Sequence, residues 1–350
     1  MVNSNQISRR RFLRKSAVGI GSFGIGLSHS SKLFTTPEIS SNPSFLREKI
    51  SPREVCVLNV TKVGIDGDTS EKIVEKMLER LQLISSYNPD IICLPEAFAR
   101  TRTSVPLSQR AETVSGPIVN AFVSFAKQHR CYIICPLHIK RDGKIYNTAV
   151  LIDREGKIVG QYDKIHPTEG ECDMGITPGK FPSPVFKTDF GVIGIQICFD
   201  VNWIDEWKSL KEQGAEIVFW PSAYPGGRML SGLAWLFQYY VVGCSRINPA
   251  LIFDLSGDLI AESGRWDDWA YANLNLEKVL CEVDFNAEKV RNIRKKYGRK
   301  VYIKFYHNED WLTIESRSPD LTIKQIIDEF DLLTHWDYII RAEKYQNKFR

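Results

Sequence analysis

The chain has 350 residues, 43% of them hydrophobic, enough for the core of one large α/β domain or of two smaller ones. Its formal net charge at pH 7 is +4, but five positive charges lie in a leading segment without acids, at Arg9, Arg10, Arg11, Arg14 and Lys15. Removing those five charges from +4 leaves −1 for the body, which excludes a nucleic-acid partner held by charge.

The leading segment resembles a twin-arginine export signal. Ser8-Arg9-Arg10-Arg11-Phe12-Leu13-Arg14 precedes a weakly apolar, glycine-rich run from Ala17 to Leu27, shorter than the ~20 residues that a membrane-spanning helix needs. We predict that residues 1–31 are this signal, that residues 32–52 are a linker rich in Ser, Pro and Thr, and that the protein is exported after transient contact with the twin-arginine machinery. A basic tail without signal function is the alternative.

Strands and helices alternate through the body of the chain. Apolar β-branched runs predict strands, and apolar residues three and four apart predict helices. The predicted elements are strand Glu54–Lys62, helix Ser70–Tyr87, strand Asp90–Glu96, helix Ile118–His129, strands Cys131–Ile139 and Tyr146–Asp153, extended segment Lys157–Lys164, a loop from His166 to Gly179, a strand running up to Cys198 within Phe190–Asp200, helix Ile204–Gln213, strand Glu216–Pro221, helix Leu230–Val241, and strands Val242–Asp254, Asp258–Glu262 and Lys278–Asp284. This alternation predicts an α/β layered fold over residues 53–285.

The composition changes beyond Asn286, first to clusters of Lys and Arg and then to aromatic-rich segments. We predict that residues 286–350 form a C-terminal extension with a helix at Ile323–Leu333. Its charge run is typical of a solvated face. Its aromatic residues need a surface to bury against, and a partner subunit is the predicted one.

The eight cysteines are irregularly spaced, and most of them lie in apolar runs. A chain of this length does not need disulfide bonds for stability, so Cys56, Cys93, Cys131, Cys135 and Cys244 are predicted to be core residues of strands. Cys131 and Cys135 have no second pair of Cys or His at ligand spacing, which argues against zinc. No metal and no organic cofactor is expected.

Three of the predicted extended segments end on ionisable side chains, Glu96, Lys164 and Cys198. Chemistry in α/β sheets gathers beyond the carboxyl ends of strands. A cysteine nucleophile needs a base, because an ordinary pKa near ~8.5 leaves few thiols ionised at neutral pH, and it needs a cation for the oxyanion. Each residue alone has a structural alternative: a buried core cysteine, an exposed carboxylate or a surface lysine. Together they predict a Glu-Lys-Cys site.

The motifs around these residues resemble those of the nitrilase superfamily of carbon-nitrogen hydrolases. They read Leu94-Pro95-Glu96, Tyr162-Asp163-Lys164-Ile165-His166-Pro167-Thr168 and Gly194-Ile195-Gln196-Ile197-Cys198-Phe199-Asp200, with further similarity at Trp220-Pro221-Ser222-Ala223 and Ser256-Gly257-Asp258-Leu259-Ile260-Ala261. The resemblance covers about Val55 to Asp284. It implies an αββα sandwich that pairs into a four-layer αββα-αββα homodimer or a higher homo-oligomer.

The resemblance also implies a role for each residue. Cys198 would attack a carbonyl carbon, Glu96 would act as base and then as acid, and Lys164 with the backbone N–H of Phe199 would hold the oxyanion. A second glutamate after the lysine often orients it in this family. Glu171 fits that spacing best, and Glu169 is the runner-up.

The residues after the nucleophile bear on the substrate. Cys198-Phe199-Asp200 favours an amide or carbamoyl substrate, whereas nitrilases usually show Cys-Trp-Glu, and Asp200 is expected to be structural. Residues 201–206 depart from the family pattern, so the sequence does not assign the residues that form the pocket wall. Phe98, Trp203 and Tyr224 are candidates for the substrate pocket. We predict a hydrolase that splits a small linear amide or N-carbamoyl compound into an acid and ammonia or an amine. Nitrile hydrolysis, acyl transfer and a catalytically silent binding module are the alternatives.

Overall fold

The computed structural model describes residues 51–101 and 103–350. The predicted export signal and all but the last two residues of the predicted linker lie outside the described residues. Among the helices of the described part, none is both long enough and apolar enough to cross a membrane.

The described residues form strands and helices in alternation. The strands are β1 (Glu54–Val60), β2 (Ile91–Cys93), β3 (Tyr132–Arg141), β4 (Lys144–Ile152), β5 (Ile158–Asp163), β6 (Val185–Lys187), β7 (Val192–Ile195), β8 (Ile217–Ser222), β9 (Tyr240–Ser245), β10 (Leu251–Phe253), β11 (Leu259–Glu262), β12 (Trp269–Asn275), β13 (Lys278–Glu282), β14 (Val301–Tyr306) and β15 (Trp311–Ser316). The helices are α1 (Ser70–Ile84), α2 (Leu107–Arg110), α3 (Pro117–His129), α4 (Glu169–Asp173), α5 (Ile204–Glu212), α6 (Arg228–Phe237), α7 (Ala287–Tyr297), α8 (Ile323–Phe330) and α9 (His335–Gln346), with short 3₁₀ helices at Ser85–Tyr87, Cys198–Asn202 and Gly298–Lys300.

Two six-stranded sheets form the centre of the molecule. The first sheet has the order β12-β1-β2-β3-β4-β5, and the second sheet has the order β11-β10-β9-β8-β7-β6. In the first sheet β2 runs parallel to both β1 and β3, and in the second sheet β8 runs parallel to both β7 and β9. Residues that follow parallel strands therefore collect at the same edge of each sheet.

Three hydrophobic cores define the layers. One core lies between the two sheets and takes residues from both, such as Val57 and Ile134 of the first and Ile195 and Phe219 of the second. A second core packs α1 and α3 on the outer face of the first sheet, and a third packs α5 and α6 on the outer face of the second sheet. This arrangement is an αββα sandwich and confirms the predicted fold.

Strand β1 shows how the sequence specifies two cores at once. Val55 and Val57 face the core between the sheets, whereas Leu58 and Val60 face the helices. Because side chains alternate along a strand and both faces are covered, the strand reads as a nearly continuous apolar run. Asn59 points toward the second sheet and donates to the carbonyl of Gly243 at 2.8 Å.

The predicted strand Val242–Asp254 is wrong. The chain forms two strands there, β9 and β10, which pair antiparallel with Leu251 opposite Gly243. Asn248-Pro249 lies in the reversal, and a proline cannot donate to a sheet ladder. The predicted helix Leu230–Val241 likewise ends early, at Phe237, because Gln238 takes a left-handed conformation with φ of 53°. Strand β12 at the edge of the first sheet was not predicted.

A third sheet, in the order β13-β15-β14, carries the C-terminal part of the chain. It begins at Lys278, before the predicted boundary at residue 286, and its own core includes Leu312, Val290 of α7 and Ile326 of α8. The predicted helix Ile323–Leu333 is present as α8 and ends three residues earlier. Trp311 stacks on Trp235 with ring centroids 4.9 Å apart, so part of the aromatic surface is buried within the chain. The predicted subunit contact stays a prediction.

Candidate active site

Glu96, Lys164 and Cys198 meet at one edge of the sandwich. Glu96 follows β2 and Lys164 follows β5, both in the first sheet, while Cys198 follows β7 in the second sheet. The exposed fraction is 3% for Glu96, 1% for Lys164 and 8% for Cys198. The structure therefore brings together the three residues that the sequence singled out, in a place shielded from water.

Lys164 is the charged centre of this group. Its Nζ lies 3.0 Å from Oε1 of Glu96 and 2.7 Å from Oε2 of Glu171. Burial by itself would lower the pKa of Lys164, but the charge of Glu96 and the charge and hydrogen bond of Glu171 act against burial, and the pKa is raised. The lysine is thus a permanent cation, because a buried ammonium with two carboxylate partners has no reason to release its proton.

Glu171, and not Glu169, is the second carboxylate. Glu169 is exposed at the start of α4, whereas Glu171 contacts Lys164. Burial would raise the pKa of Glu171, but the charge and hydrogen bond of Lys164 outweigh it and hold the pKa below its usual value. A capping box fixes the side chain: Glu171 Oε2 accepts from the Thr168 N–H at 2.8 Å, and Thr168 Oγ1 accepts from the Glu171 N–H.

Helix α4 is a correction to the sequence analysis, which predicts a loop from His166 to Gly179. The signal was in the sequence, because Thr168-Glu169-Gly170-Glu171 matches the capping-box pattern of a threonine followed three residues later by a glutamate. The helix has five residues, too few to show apolar periodicity.

Asn147 of β4 connects the two glutamates and was missed in the sequence. Its Nδ2 donates to Oε1 of Glu96 and to Oε1 of Glu171, each at 2.9 Å. Its backbone carbonyl accepts from the N–H of Lys164 at 2.8 Å, so one residue positions all three groups. The available signal was an amide side chain inside the apolar strand run from Ile145 to Ile152, since a buried polar group implies a partner.

Arg246 is the second missed residue. It directly follows β9, and its guanidinium donates to the backbone carbonyl of Glu96 at 2.6 Å and to Oε2 of Glu96 at 3.2 Å. The Glu96 carboxylate therefore has a cation on each oxygen, Lys164 on one and Arg246 on the other. The signal was an arginine at a strand end, but the wrong prediction of one long strand hid that end.

Cys198 sits in a tight turn between strand and helix. Strand β7 ends at Ile195, earlier than predicted, and Cys198 begins the 3₁₀ helix Cys198–Asn202 with φ of 47°. A residue other than glycine in this left-handed region is uncommon and concentrates at functional sites. The indole N–H of Trp220 donates to the Cys198 carbonyl at 3.0 Å and holds the turn.

Several groups shift the pKa of the Cys198 thiol in opposite directions. Burial raises its pKa and the charge of Glu96 raises it further, while Lys164, the Ala223 N–H and the Ser222 hydroxyl lower it. The net result is a pKa above the ordinary value. In the resting protein the sulfur is therefore a thiol, and the chemistry requires a base to remove its proton.

Asp200 supports the turn, as expected for a structural residue. Its carboxylate accepts from the Ile197 N–H at 2.9 Å, the His166 N–H at 2.8 Å and the Tyr162 hydroxyl at 2.7 Å. Burial raises the pKa of Asp200 to about 6, against the effect of these three donors. Asp200 thus ties the loop that carries Lys164 to the turn that carries Cys198.

The predicted pocket residues separate into two groups. Phe98 is fully buried and packs edge-on against Phe122 in the core beneath the helices, so its assignment to the pocket is wrong. Trp203 is 37% exposed and stacks on His166 with ring centroids 3.7 Å apart. Tyr224 is half-buried beside Trp220, and the charge of Cys198 is among the causes that raise its pKa, after burial. These last two remain candidates.

No cluster of metal-ligating side chains occurs among the described residues. What the arrangement offers is a thiol, a carboxylate and a buried cation, with a second carboxylate that orients the cation. Such a set can remove a proton from a nucleophile and stabilise negative charge on an oxygen.

Comparison with known proteins adds independent findings. A family model described as carbon-nitrogen hydrolase matches residues 60–280. Beta-ureidopropionase of Arabidopsis thaliana is 31% identical over 171 residues, which cover 46% of this chain and 42% of that protein. Deaminated glutathione amidase of Synechocystis sp. (strain PCC 6803 / GT-S) is 24% identical over 232 residues, which cover 57% of this chain and 85% of that protein. The chain thus spans less than half the length of the Arabidopsis relative.

The solved structures agree at the level of the fold. The crystal structure of Saccharomyces cerevisiae Nit3, described as a member of branch 10 of the nitrilase superfamily, has a TM-score of 0.56 and 19% sequence identity. The similarity covers 72% of this chain and 97% of that one.

Proposed function

Since the chain belongs to the carbon-nitrogen hydrolase family and is an enzyme of that class, we propose that it hydrolyses a small linear amide or N-carbamoyl compound. The products are an acid and ammonia or an amine. Relatives named as an amidase and as a ureidopropionase support this substrate class. The observation that carries the proposal is the buried Glu96–Lys164 ion pair beside a thiol on a positive-φ turn.

Acylation starts with the proton of Cys198. Because the pKa of the thiol is raised, Glu96 takes the proton as the sulfur attacks the carbonyl carbon of the substrate. The C–N bond then breaks, and the protonated Glu96 returns the proton to the departing nitrogen. A thioester on Cys198 and a free amine or ammonia result.

Lys164 and the N–H of Phe199 stabilise the oxyanion of this step. Phe199 lies in the first turn of the 3₁₀ helix, where N–H groups have no carbonyl partner within the helix. Lys164 is held by Glu96 and Glu171, so its charge is already in place when the oxyanion forms. Removing a single donor of this kind typically costs ~10²–10³ in rate.

Deacylation reverses the proton path. Glu96 takes a proton from water, the hydroxide attacks the thioester carbonyl, and the C–S bond breaks. Glu96 then returns the proton to the sulfur, and the acid leaves. Arg246 and Asn147 contact the same carboxylate throughout, which keeps its oxygens oriented toward one place.

The test is Cys198→Ala. We expect loss of ammonia release from every active amide while the thermal unfolding curve stays close to that of the parent, and we expect a thioester adduct on the parent by rapid-quench mass spectrometry. Cys56→Ala is the matched control, because Cys56 lies on β1 at the opposite end of the parallel strands, beside Asp90. Hydrolysis by the Cys198→Ala variant at the parent's rate would disprove the mechanism.

Substrates are found by screening short amides, carbamoyl amino acids and nitriles for ammonia release. An added amine acceptor separates hydrolysis from acyl transfer, because transfer yields a new amide in place of the acid. If no substrate is turned over and no acylating probe labels Cys198, the chain is instead a catalytically silent binding module.

A further inference from the structure

The two oxygens of the Glu96 carboxylate have unequal surroundings. Oε1 accepts two hydrogen bonds, from Nζ of Lys164 at 3.0 Å and from Nδ2 of Asn147 at 2.9 Å. Within the part of the chain that the structure describes, Oε2 accepts one, from the guanidinium of Arg246 at 3.2 Å. Because a carboxylate offers about two lone-pair sites on each oxygen, Oε1 is saturated and Oε2 keeps one site free.

Arg246 is held in place by groups other than that carboxylate. Its Nε donates to the Glu96 carbonyl at 2.6 Å, its backbone N–H donates to the carbonyl of Ser222 at 3.1 Å, and its own carbonyl accepts from the N–H of Lys62 at 3.2 Å. These contacts tie Arg246 to β8, to the residues after β1 and to those after β2. The guanidinium therefore stays beside Oε2 whether or not that oxygen carries a proton.

Arg246 also balances the charge of the buried site. Glu96 and Glu171 are two carboxylates, and Lys164 contacts both of them. With Lys164 alone the group would carry one net negative charge, whereas Arg246 adds the second cation. A nearby cation favours the charged form of a carboxylate, so Arg246 opposes the negative charge of Glu171, which favours the protonated form of Glu96.

The other titratable groups around this cluster are uncharged at neutral pH. Cys198 is a thiol and Tyr224 is a phenol, because burial is the first cause that raises the pKa of each. Burial lowers the pKa of His138 to about 4, and the charge of Arg246 acts in the same direction, so this imidazole is neutral. These three groups therefore leave the charge balance to the two carboxylates and their cations.

Two more cations lie near Arg246. Lys62 donates to the carbonyl of Arg100 at 3.0 Å. Burial together with the charges of Arg246 and Arg100 lowers the pKa of Lys62, and the charge of Asp66 acts in the opposite direction. Among the described residues neither Lys62 nor Arg100 contacts the Glu96 carboxylate. The charge that acts on Oε2 at hydrogen-bonding distance is therefore that of Arg246.

We propose that Oε2 of Glu96 is the atom that carries the proton during the reaction, and that Arg246 is the positioning residue that keeps this atom unprotonated between turnovers. The proton of Cys198 moves to Oε2 as the C–S bond forms. It moves from Oε2 to the departing nitrogen as the C–N bond breaks, which restores the carboxylate. Lys164, on the other oxygen, stays in place for the oxyanion. This inference rests on the proposed hydrolysis and assigns its base to one atom.

The pH dependence of kcat/KM tests this role. Removing the cation in Arg246→Gln favours the protonated carboxyl group, so the acidic limb of the profile should move about 1 pH unit upward. We expect a loss of activity of about tenfold on that limb and none at higher pH, whereas damage to the fold lowers the rate at every pH. Arg246→Lys, which retains the charge, should keep the limb close to its position in the parent.

Arg291→Gln, which removes an exposed charge from α7, is the control and leaves the limb unchanged. Thermal unfolding curves report whether each variant is folded. Arg246→Met, which retains an apolar stem for packing, is the second uncharged variant and replaces Arg246→Gln if that protein does not fold. An acidic limb that stays in place in a folded, uncharged variant would overturn the proposal.

A titration without turnover separates this inference from the proposed reaction. In the Cys198→Ala background, infrared spectroscopy follows the protonated Glu96 carboxyl group, identified as the band that Glu96→Gln removes. Its midpoint should lie at higher pH in Arg246→Gln than with Arg246 present, and equal midpoints overturn the proposal even if hydrolysis is observed. Conversely, a Cys198→Ala enzyme that still hydrolyses amides disproves the reaction, while this titration still decides the role of Arg246.

Discussion

At the scale of single residues, Glu96 has two effects on Cys198 that oppose each other. As a base it is needed to remove the thiol proton, yet as an anion it disfavours the thiolate and raises the thiol pKa. Lys164 offsets this effect from the other side. In the resting site Cys198 is therefore a protonated thiol. It loses its proton only as the sulfur attacks the carbonyl carbon of the substrate.

This opposition predicts that Glu96→Gln changes two reactions in opposite directions. Hydrolysis is lost because no base remains, while alkylation of Cys198 by iodoacetamide at pH 8 becomes faster, because the pKa falls toward the ordinary value and more thiolate is present. In the parent the alkylation rate should keep rising above pH 9. Measuring the rate against pH for both proteins checks the sign.

Glu212→Gln is the control for this experiment, since Glu212 is an exposed carboxylate of α5 that pairs with Lys208. It should alter neither rate. Slower alkylation in Glu96→Gln would mean that Glu96 assists ionisation of the resting thiol more than its charge opposes it, and would contradict our account.

The sequence predicted the residues that lie at strand ends and missed those that reach the site through tertiary contacts. Glu96 and Cys198 each follow an apolar run and Lys164 ends an extended segment, and both are local signals. The roles of Asn147 and Arg246 become clear once β4 and β9 are placed in the two sheets, because these roles depend on hydrogen bonds to Glu96 across 51 and 150 residues of chain.

At the scale of elements, the capping of α4 controls the site. The helix is short, and its N-terminal turn holds Glu171 against Lys164. We predict that Thr168→Ala destabilises this turn by about 1 kcal/mol and lowers kcat several-fold, because Glu171 no longer has a fixed position. Steady-state kinetics together with thermal unfolding measure the two effects.

Thr322→Ala provides a matched control for that variant. Thr322 caps α8 with the same capping-box geometry, formed with Gln325, in the C-terminal part of the chain. It should cost similar stability and leave kcat unaltered. Equal losses of activity in both variants would show that the effect of Thr168 is one of general stability.

Strands with both faces covered were predicted well, whereas β6, α4 and β12 were not, for physical reasons. Buried strands such as β1, β3 and β4 have both faces covered, so their composition alone identifies them. Strand β6 and helix α4 have three and five residues and are too short to show a period. Strand β12 carries Asn273 and Asn275 within its run and is defined by its pairing with β1, which is remote in sequence.

At the scale of the whole molecule, the third sheet belongs to the folded body. Strand β13 pairs with β15, and Oε2 of Glu277, just before β13, accepts from the N–H of Ile323 at the start of α8. We predict that a chain ending at residue 285 loses thermal stability or aggregates, because Leu280 and Cys281 lose their covering. Differential scanning fluorimetry and light scattering measure this.

Removal of residues 347–350 is the control truncation. All four are exposed, so the shortened chain should unfold at the temperature of the full one. A stable, active chain ending at residue 285 would instead show that the extension is dispensable, as an independent subunit-contact module would be. The four-layer dimer and export by the twin-arginine route stay predictions, and sedimentation and cell fractionation test them.

The division of the catalytic groups between the two sheets has a mechanical consequence. The base and the cation are attached to one sheet and the nucleophile to the other, so the thickness of the hydrophobic core between them sets the gap across which the proton moves. Close-packed interiors transmit small displacements, and a shift of ~1 Å in reacting groups can cost ~10² in rate. The volume of core side chains such as Ile195 is therefore expected to affect turnover from a distance.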